Sequence, residues 1–198
     1  STWLESRASV CIPQDLGKCE HAPLILILRS TRFVFNTPLL SPAGMMAKEL
    51  DKLENNDRTL RILELGYHQI GARGAERLAA ALQKNSMLLS LKLRVNSIGD
   101  QGAEKLAAAL EKNNTLTALQ LQANKIGFQG AESLAAALEK NSSLTKLELG
   151  GNSVGAQGAK RLALALETNK TLTTFELRGN SIGAQGAERL AAALVQTR

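Results

Sequence analysis

Leucines recur in this chain at intervals of 28 residues. Leu60, Leu88, Leu116, Leu144 and Leu172 form one series; Leu63, Leu91, Leu119, Leu147 and Phe175 form a second; Leu65, Leu93, Leu121, Leu149 and Leu177 form a third. The pattern L-x-x-L-x-L-x-x-N-x-I-G-x-x-G-A-x-x-L-x-x-x-L runs five times through 59–198 with few departures. A fixed period of this length restricts the fold to a stack of equivalent units, because one unit cannot bury its apolar face alone and does so only against its neighbours.

Each unit divides into two periodicities. Around LKL at 91–93 apolar and polar residues alternate, which predicts a short half-buried strand. Further on, Ala103, Leu106, Ala107 and Leu110 fall at i, i+3, i+4 and i+7, one apolar stripe of a helix. Gly99 and Gly102 occupy the strand-to-helix turn, where tight or left-handed backbone is expected. Asn113 follows the helix, where a left-handed residue commonly ends it. About five strand residues at ~3.3 Å and about eleven helix residues at ~1.5 Å both span roughly 16–18 Å, so a unit can return to its starting edge and stack. Strands sit ~4.8 Å apart and packed helices ~8–10 Å apart, so the stack must curve. The expected fold class is therefore α/β, a curved solenoid with a parallel sheet on the concave side and helices on the convex side.

The unit resembles the leucine-rich repeat of the ribonuclease-inhibitor type. It is closest to the version in NOD-like receptors, whose repeats read very like NSIGAQGAERLAAAL. The resemblance covers 59–198, read as five repeats. MAKELDKLENND, within 46–58, reads as a degenerate copy of the repeat helix that caps the first layer, and 1–45 as an irregular N-terminal segment or cap in which PLILIL and RFVFN suggest one or two strands. The resemblance implies a cytoplasmic protein-interaction or ligand-sensing module, with innate sensing or autoinhibition as its setting. The alternative it implies is a regulator of an enzyme, ribonuclease-inhibitor-like or GTPase-activating-protein-like.

Composition narrows the function classes. The net charge is +6, and aromatics are only 3% of the chain. Residues 1–58 balance seven basic against seven acidic side chains, so the excess comes from 59–198, with seventeen against eleven. Those basic residues alternate with Glu, as at Glu76-Arg77 and Glu104-Lys105, which is the pattern of a solvated helix face. Clustered cations with stacking aromatics, which nucleic-acid binding requires, are not present. No apolar run approaches the ~20 residues of a membrane helix. Neither a nucleic acid nor a membrane is expected as a partner.

Chemistry finds little to build on. The repeats contain one Asp (Asp100), one His (His68) and no Cys, so no Ser-His-Asp or Cys-His constellation can be assembled. GNSVGAQGAKR lacks the G-K-[ST] of a phosphate loop, and its glycines are the repeat's own turn residues. Cys11, Cys19 and His21 offer three possible zinc ligands without a fourth, at C-x7-C spacing. The two cysteines read either as a disulfide clasp or, in preference, as reduced thiols. The expectation is no enzyme, no metal and no cofactor. Sequons at Asn113, Asn141 and Asn169 recur because the helix-end Asn recurs.

The repeated phrase is read as framework, with Asn96, Asn124, Asn152 and Asn180 as a structural ladder whose amides satisfy backbone groups of the turns. His68 takes the same place in the first unit, as a capping substitution. Function is then sought where the units differ. The strand positions between the Leu columns face the concave side and vary from unit to unit, either as a reading face or as drift at free solvent positions. The residues singled out for partner binding are Tyr67, Lys92, Arg94, Gln122, Glu148 and Arg178, since Arg and Tyr commonly anchor interfaces. Five strands at ~4.8 Å make a face of at most ~400–500 Å², below the ~800 Å² per partner of a standard interface. The final RLAAALVQTR carries no polar closing unit. The expectation is a fragment of a longer array, end-to-end self-association through an uncapped C-terminus, or weak stability after about residue 170.

Overall fold

The computed structural model describes residues 24–27 and 42–196. RFVFN, Cys11, Cys19 and His21 lie outside the described residues. Within them strand and helix alternate without interruption: β1 (Leu24–Ile27), α1 (Pro42–Glu54), β2 (Leu60–Glu64), α2 (Gly71–Leu82), β3 (Ser90–Lys92), α3 (Gly99–Leu110), β4 (Ala118–Gln120), α4 (Phe128–Lys140), β5 (Lys146–Glu148), α5 (Gly155–Thr168), β6 (Thr174–Glu176) and α6 (Gly183–Gln196). The strands form one parallel sheet of six in sequence order. From β2 onward the register equals the period: Leu63 pairs with Leu91, Leu91 with Leu119, Leu119 with Leu147 and Leu147 with Phe175. β1 joins β2 through an irregularity between Leu24 and Ile25. The molecule is the curved leucine-rich repeat solenoid that the periodicity dictates.

Two packing rules build the core. Strand leucines point inward and are sealed from solvent, Leu63, Leu65, Leu91, Leu93, Leu121 and Leu147 all at 0% exposure. Each such side chain contributes about 1.5–3 kcal/mol by leaving water. Helix alanines and the second glycine of G-x-x-G-A bring successive helices close. A Cβ at Gly102 would stand 2.4 Å from Ile98 Cγ2 and 3.0 Å from Ala75 Cβ, so no larger residue fits there. The first glycine of the phrase serves the backbone instead: Gly99 opens α3 at φ +65, a left-handed turn that returns the chain from strand to helix.

Apart from Glu49 on α1, the buried polar side chains among the described residues are all asparagine, in two ladders. At the strand exits, Asn96, Asn124, Asn152 and Asn180 each donate Nδ2–H to a leucine carbonyl one unit back: Leu65 at 2.7 Å, Leu93 at 2.8 Å, Leu121 at 2.9 Å and Leu149 at 2.9 Å. Their Oδ1 atoms accept from the preceding turn, so that the His68 amide donates to Asn96 at 2.9 Å and the Asn96 amide to Asn124 at 2.9 Å. At the helix exits Asn85, Asn113, Asn141 and Asn169 do the same on the other side of the core, donating back to Leu53, Leu82, Leu110 and Leu138 and accepting from the amide three residues ahead. Buried turns leave backbone groups that must be paired, and a short amide with a donor and an acceptor pairs two turns at once.

The helix-exit ladder corrects one expectation. Asn113 and its equivalents do not end their helices in a left-handed conformation; Asn141 sits at φ −78, ψ 129 and Asn169 at φ −72, ψ 123. The side chain has to reach the previous coil, and an extended backbone directs it there. The same burial engages the sequon amides: Asn113, Asn141 and Asn169 are 4%, 6% and 8% exposed.

Candidate binding face

The variable positions emerge on the concave side at the ends of β2 to β6. Alternation places Glu64, Lys92, Gln120, Glu148 and Glu176 in one row across the sheet and Gly66, Arg94, Gln122, Gly150 and Arg178 in the next. Most charges of the first row are neutralised by neighbouring side chains. Lys92 is ion-paired to Glu64. Lys146 reaches Glu148 at 2.7 Å, and the Gln122 amide donates to the other oxygen of Glu148. Gln122 Oε1 is enclosed without a donor.

The second row behaves differently. Arg94 is exposed and lies over the Tyr67 ring at 5.8 Å from its centroid, a cation–π contact at the rim. Arg178 is also exposed, and among the described residues neither guanidinium has a carboxylate within ion-pairing distance. Glu176 likewise has no cation. Between the two arginines the surface drops into a groove of about 460 Å³, walled by Arg94 and Gln122 on one side and by Glu176 and Arg178 on the other, with Ala123, Gly150, Gly151 and Gly179 as its floor.

The structure thus brings together Arg94, Gln122 and Arg178. Tyr67 stands at the rim beneath Arg94, while Lys92 and Glu148 lie in the sheet, held by their neighbours, and do not line the groove. Sequence reasoning missed Glu176 and the glycine floor.

The row Tyr67, Val95, Ala123, Gly151 and Gly179 needs a correction. It reads in the sequence as an outward strand column free to vary, but every member is left-handed, at φ 64, 57, 52, 67 and 71. The row is a turn, and glycine in the fourth and fifth coils relieves a strain that Tyr67, Val95 and Ala123 carry at about 1–2 kcal/mol each. Its variation has a backbone cause as well as a surface one. Gly179 stacks directly on Gly151, whose Cα lies 3.5 Å from where a Cβ of Gly179 would stand. The left-handed turn and the missing side chains together make the hollow.

His68 is tied into its own turn. Its Nδ1 lies 2.5 Å from the Gly66 carbonyl, which can only accept, so that nitrogen carries the proton. The backbone N–H of His68 donates to Asn96 Oδ1, as those of Asn96 and Asn124 donate to the next Asn. Asp100 has an equally local task. Its Oδ1 accepts the amides of Gly127 at 2.7 Å and Gly130 at 2.8 Å, capping α4 from the neighbouring helix. Gly127 accordingly leaves the left-handed geometry of the other units for φ −97. Among the described residues no three His, Cys, Asp or Glu side chains group to hold a metal, and no helix is long and apolar enough to cross a membrane.

Comparison with known proteins agrees with this architecture. A family model described as the TMOD/LMOD leucine-rich domain matches residues 45–155, and a leucine-rich repeat model matches 168–191. Among solved structures, leiomodin-1 actin-binding site 2 superposes with a TM-score of 0.66 at 22% identity, covering 82% of this chain and 91% of that one. The C-terminal domain of tropomodulin from Caenorhabditis elegans gives 0.66 at 17% identity, covering 77% and 92%. At these identities the likeness speaks to the fold. No curated protein matches the chain.

Proposed function

We propose that this chain, which belongs to the TMOD/LMOD leucine-rich domain family, is a non-enzymatic protein-binding module that holds its partner at the concave strand exits, and that the partner is actin. The groove carries the reading: it is the place where the repeated framework withdraws its side chains and where, among the described residues, two guanidiniums have no counter-ion. The identity of the partner rests on the likeness to a structure named as an actin-binding site. Such a module works without a cofactor, by presenting a preformed surface whose residues lose little freedom on binding, and a cytoplasmic setting suits it. Tyr67, Arg94, Gln122 and Arg178 are the proposed contacts, with Lys92 and Glu148 as the paired charges that hold the wall of the groove.

The test is co-sedimentation with actin filaments, together with a monomer-binding assay. The wild-type chain is compared with an Arg94→Glu/Arg178→Glu variant whose circular dichroism is unchanged. Capture of the wild type and loss of the variant is the expected result. Failure of the wild type in both assays overturns actin as the partner, and equal binding of the variant overturns the groove as the site.

Two other readings have an observation behind them. The phrase NSIGAQGAERLAAAL supports an innate-sensing or enzyme-regulating receptor module, which quantitative capture from lysate would separate from an actin binder. The half-buried Leu172, Phe175 and Leu177 at β6 support end-to-end stacking of copies. A single sedimenting species across a hundredfold range of concentration would exclude that contact.

A further inference from the structure

The charges and dimensions of the groove specify more than a protein partner. Arg94 and Arg178 follow β3 and β6, three strands apart in the sheet. At ~4.8 Å between neighbouring strands their backbones stand ~14 Å apart. An extended peptide rises ~3.4 Å per residue with side chains alternating between faces, so its residues i and i+4 point the same way at nearly the same ~14 Å separation. A segment lying across the strand exits therefore sets those two side chains onto the two guanidiniums, each of which can take a carboxylate through two parallel N–H bonds.

The side chain between them, at i+2, falls midway between Gln122 and Gly150, at the edge of the glycine floor. At Gly150 the floor has no side chain, and Glu176 leans across it, its Oε1 2.9 Å from where a Cβ of Gly150 would stand. Glu176 lacks a cation among the described residues, whereas Glu64 and Glu148 are already matched by Lys92 and Lys146. A third acid at i+2 meets this uncompensated carboxylate, while a small hydrogen-bond donor meets an acceptor. The low glycine floor leaves room for the ligand backbone to pass close to the sheet edge.

We infer that the groove selects an extended acidic segment of the partner with carboxylates at i and i+4 and a small donor such as Ser or Thr at i+2. The inference rests on the concave groove being the binding site and adds the chemistry it reads.

The probe is a capped peptide, Gly-Ser-Glu-Gly-Ser-Gly-Glu-Ser-Gly, titrated into the ¹⁵N-labelled full chain at low salt. The amides of Gly150, Gly151 and Gly179 report contact. They are expected to shift with this peptide and to stay put with its double Glu→Gln version. A peptide of the same composition with the two Glu adjacent, and one with Glu at i+2, are each expected to bind about tenfold more weakly, since each forfeits or opposes one charge-assisted contact. Arg94→Gln and Arg178→Gln should each cost a similar factor, and Glu176→Gln should restore the peptide bearing the extra Glu. Unchanged asparagine-ladder amides in the same spectra show that each variant is folded.

Equal binding of the two spacings, or of the acidic and amide peptides, overturns the inference. Silence of the glycine amides with all peptides, in a chain that still binds actin through the arginines, overturns the acidic segment and leaves the module reading standing. Peptide binding without actin binding does the reverse.

Discussion

The third and fifth coils are written in nearly the same letters, yet they are not equally held. In the third, formed by β4 and α4, Leu116, Leu119, Leu121, Ile126, Leu134 and Leu138 are all sealed at 0% or 1% exposure. In the fifth, formed by β6 and α6, Leu172, Phe175, Leu177, Ile182 and Leu190 are half-buried. The ladder shows the same contrast: Asn124 donates from Nδ2 to the second coil and from its backbone N–H to Asn152 Oδ1 in the fourth, while among the described residues Asn180 is bonded only to its own coil and the fourth. A repeat's stability therefore belongs less to its sequence than to the number of neighbours it has, which is the one-dimensional logic of a solenoid.

That contrast can be broken by paired substitutions. The largest difference is expected in the leucines. Leu119→Ala should destabilise the chain by about 4 kcal/mol, the cost of a cavity in a core that cannot collapse, while Leu177→Ala should cost about 1–2 kcal/mol. Urea denaturation monitored by circular dichroism measures both, and equal losses would show that the fifth coil is as tightly packed as the third. Native-state hydrogen exchange should report the same order without mutation, with β6 and α6 amides exchanging faster than those of β4 and α4.

The asparagines come next. Asn124→Ala orphans backbone groups of two buried turns and should cost about 3 kcal/mol, whereas Asn180→Ala should cost about half as much. Comparable values from the same denaturation experiment would mean that the ladder is equally strong along its length.

A smaller effect is expected at the cap, and it can be moved. Asp100→Ala should lose about 1 kcal/mol by stripping α4 of its acceptor. Asp100→Asn, which keeps an oxygen, should lose less. Two coils on, Ala156 occupies the position of Asp100 relative to Gly183 and Gly186 at the start of α6. Ala156→Asp should raise stability and slow exchange in the fifth coil, bringing the two coils nearer; faster exchange there would show that Gly183 cannot give up its left-handed turn.

The smallest change is expected in the left-handed row. Val95→Asn replaces a β-branched residue at φ 57 with one that tolerates that conformation and should gain about 0.5 kcal/mol. A loss would show that Val95 packing outweighs its strain.

Much of this is legible in the sequence. The period dictates register, because parallel strands that repeat every 28 residues pair Leu63 with Leu91 and Leu91 with Leu119. The inward leucines, the helix stripe and the strand-exit Asn column follow from alternation and from the need to pair buried backbone. The helix-exit asparagines are visible as a column but their conformation is not, since a helix-end Asn is compatible both with a left-handed stop and with an extended reach to the previous coil. The candidate site was legible only in part. Arg94, Gln122 and Arg178 stand out as variable concave residues, but nothing in the letters says that Lys92 and Glu148 are consumed by Glu64 and Lys146.

What the sequence determined by itself was the architecture and the identity of the framework, because both are properties of a repeated pattern and each copy reports the same answer. What only the tertiary structure decided was the site. Whether a concave charge is spent or available depends on which side chains stack against it: Glu64 lies 28 residues from Lys92 and Gln122 lies 26 from Glu148, while Lys146 reaches Glu148 from within the same strand. Whether a gap becomes a hollow depends on Gly150, Gly151 and Gly179 falling side by side at a left-handed turn. These are relations between coils, and they exist only once the chain has stacked.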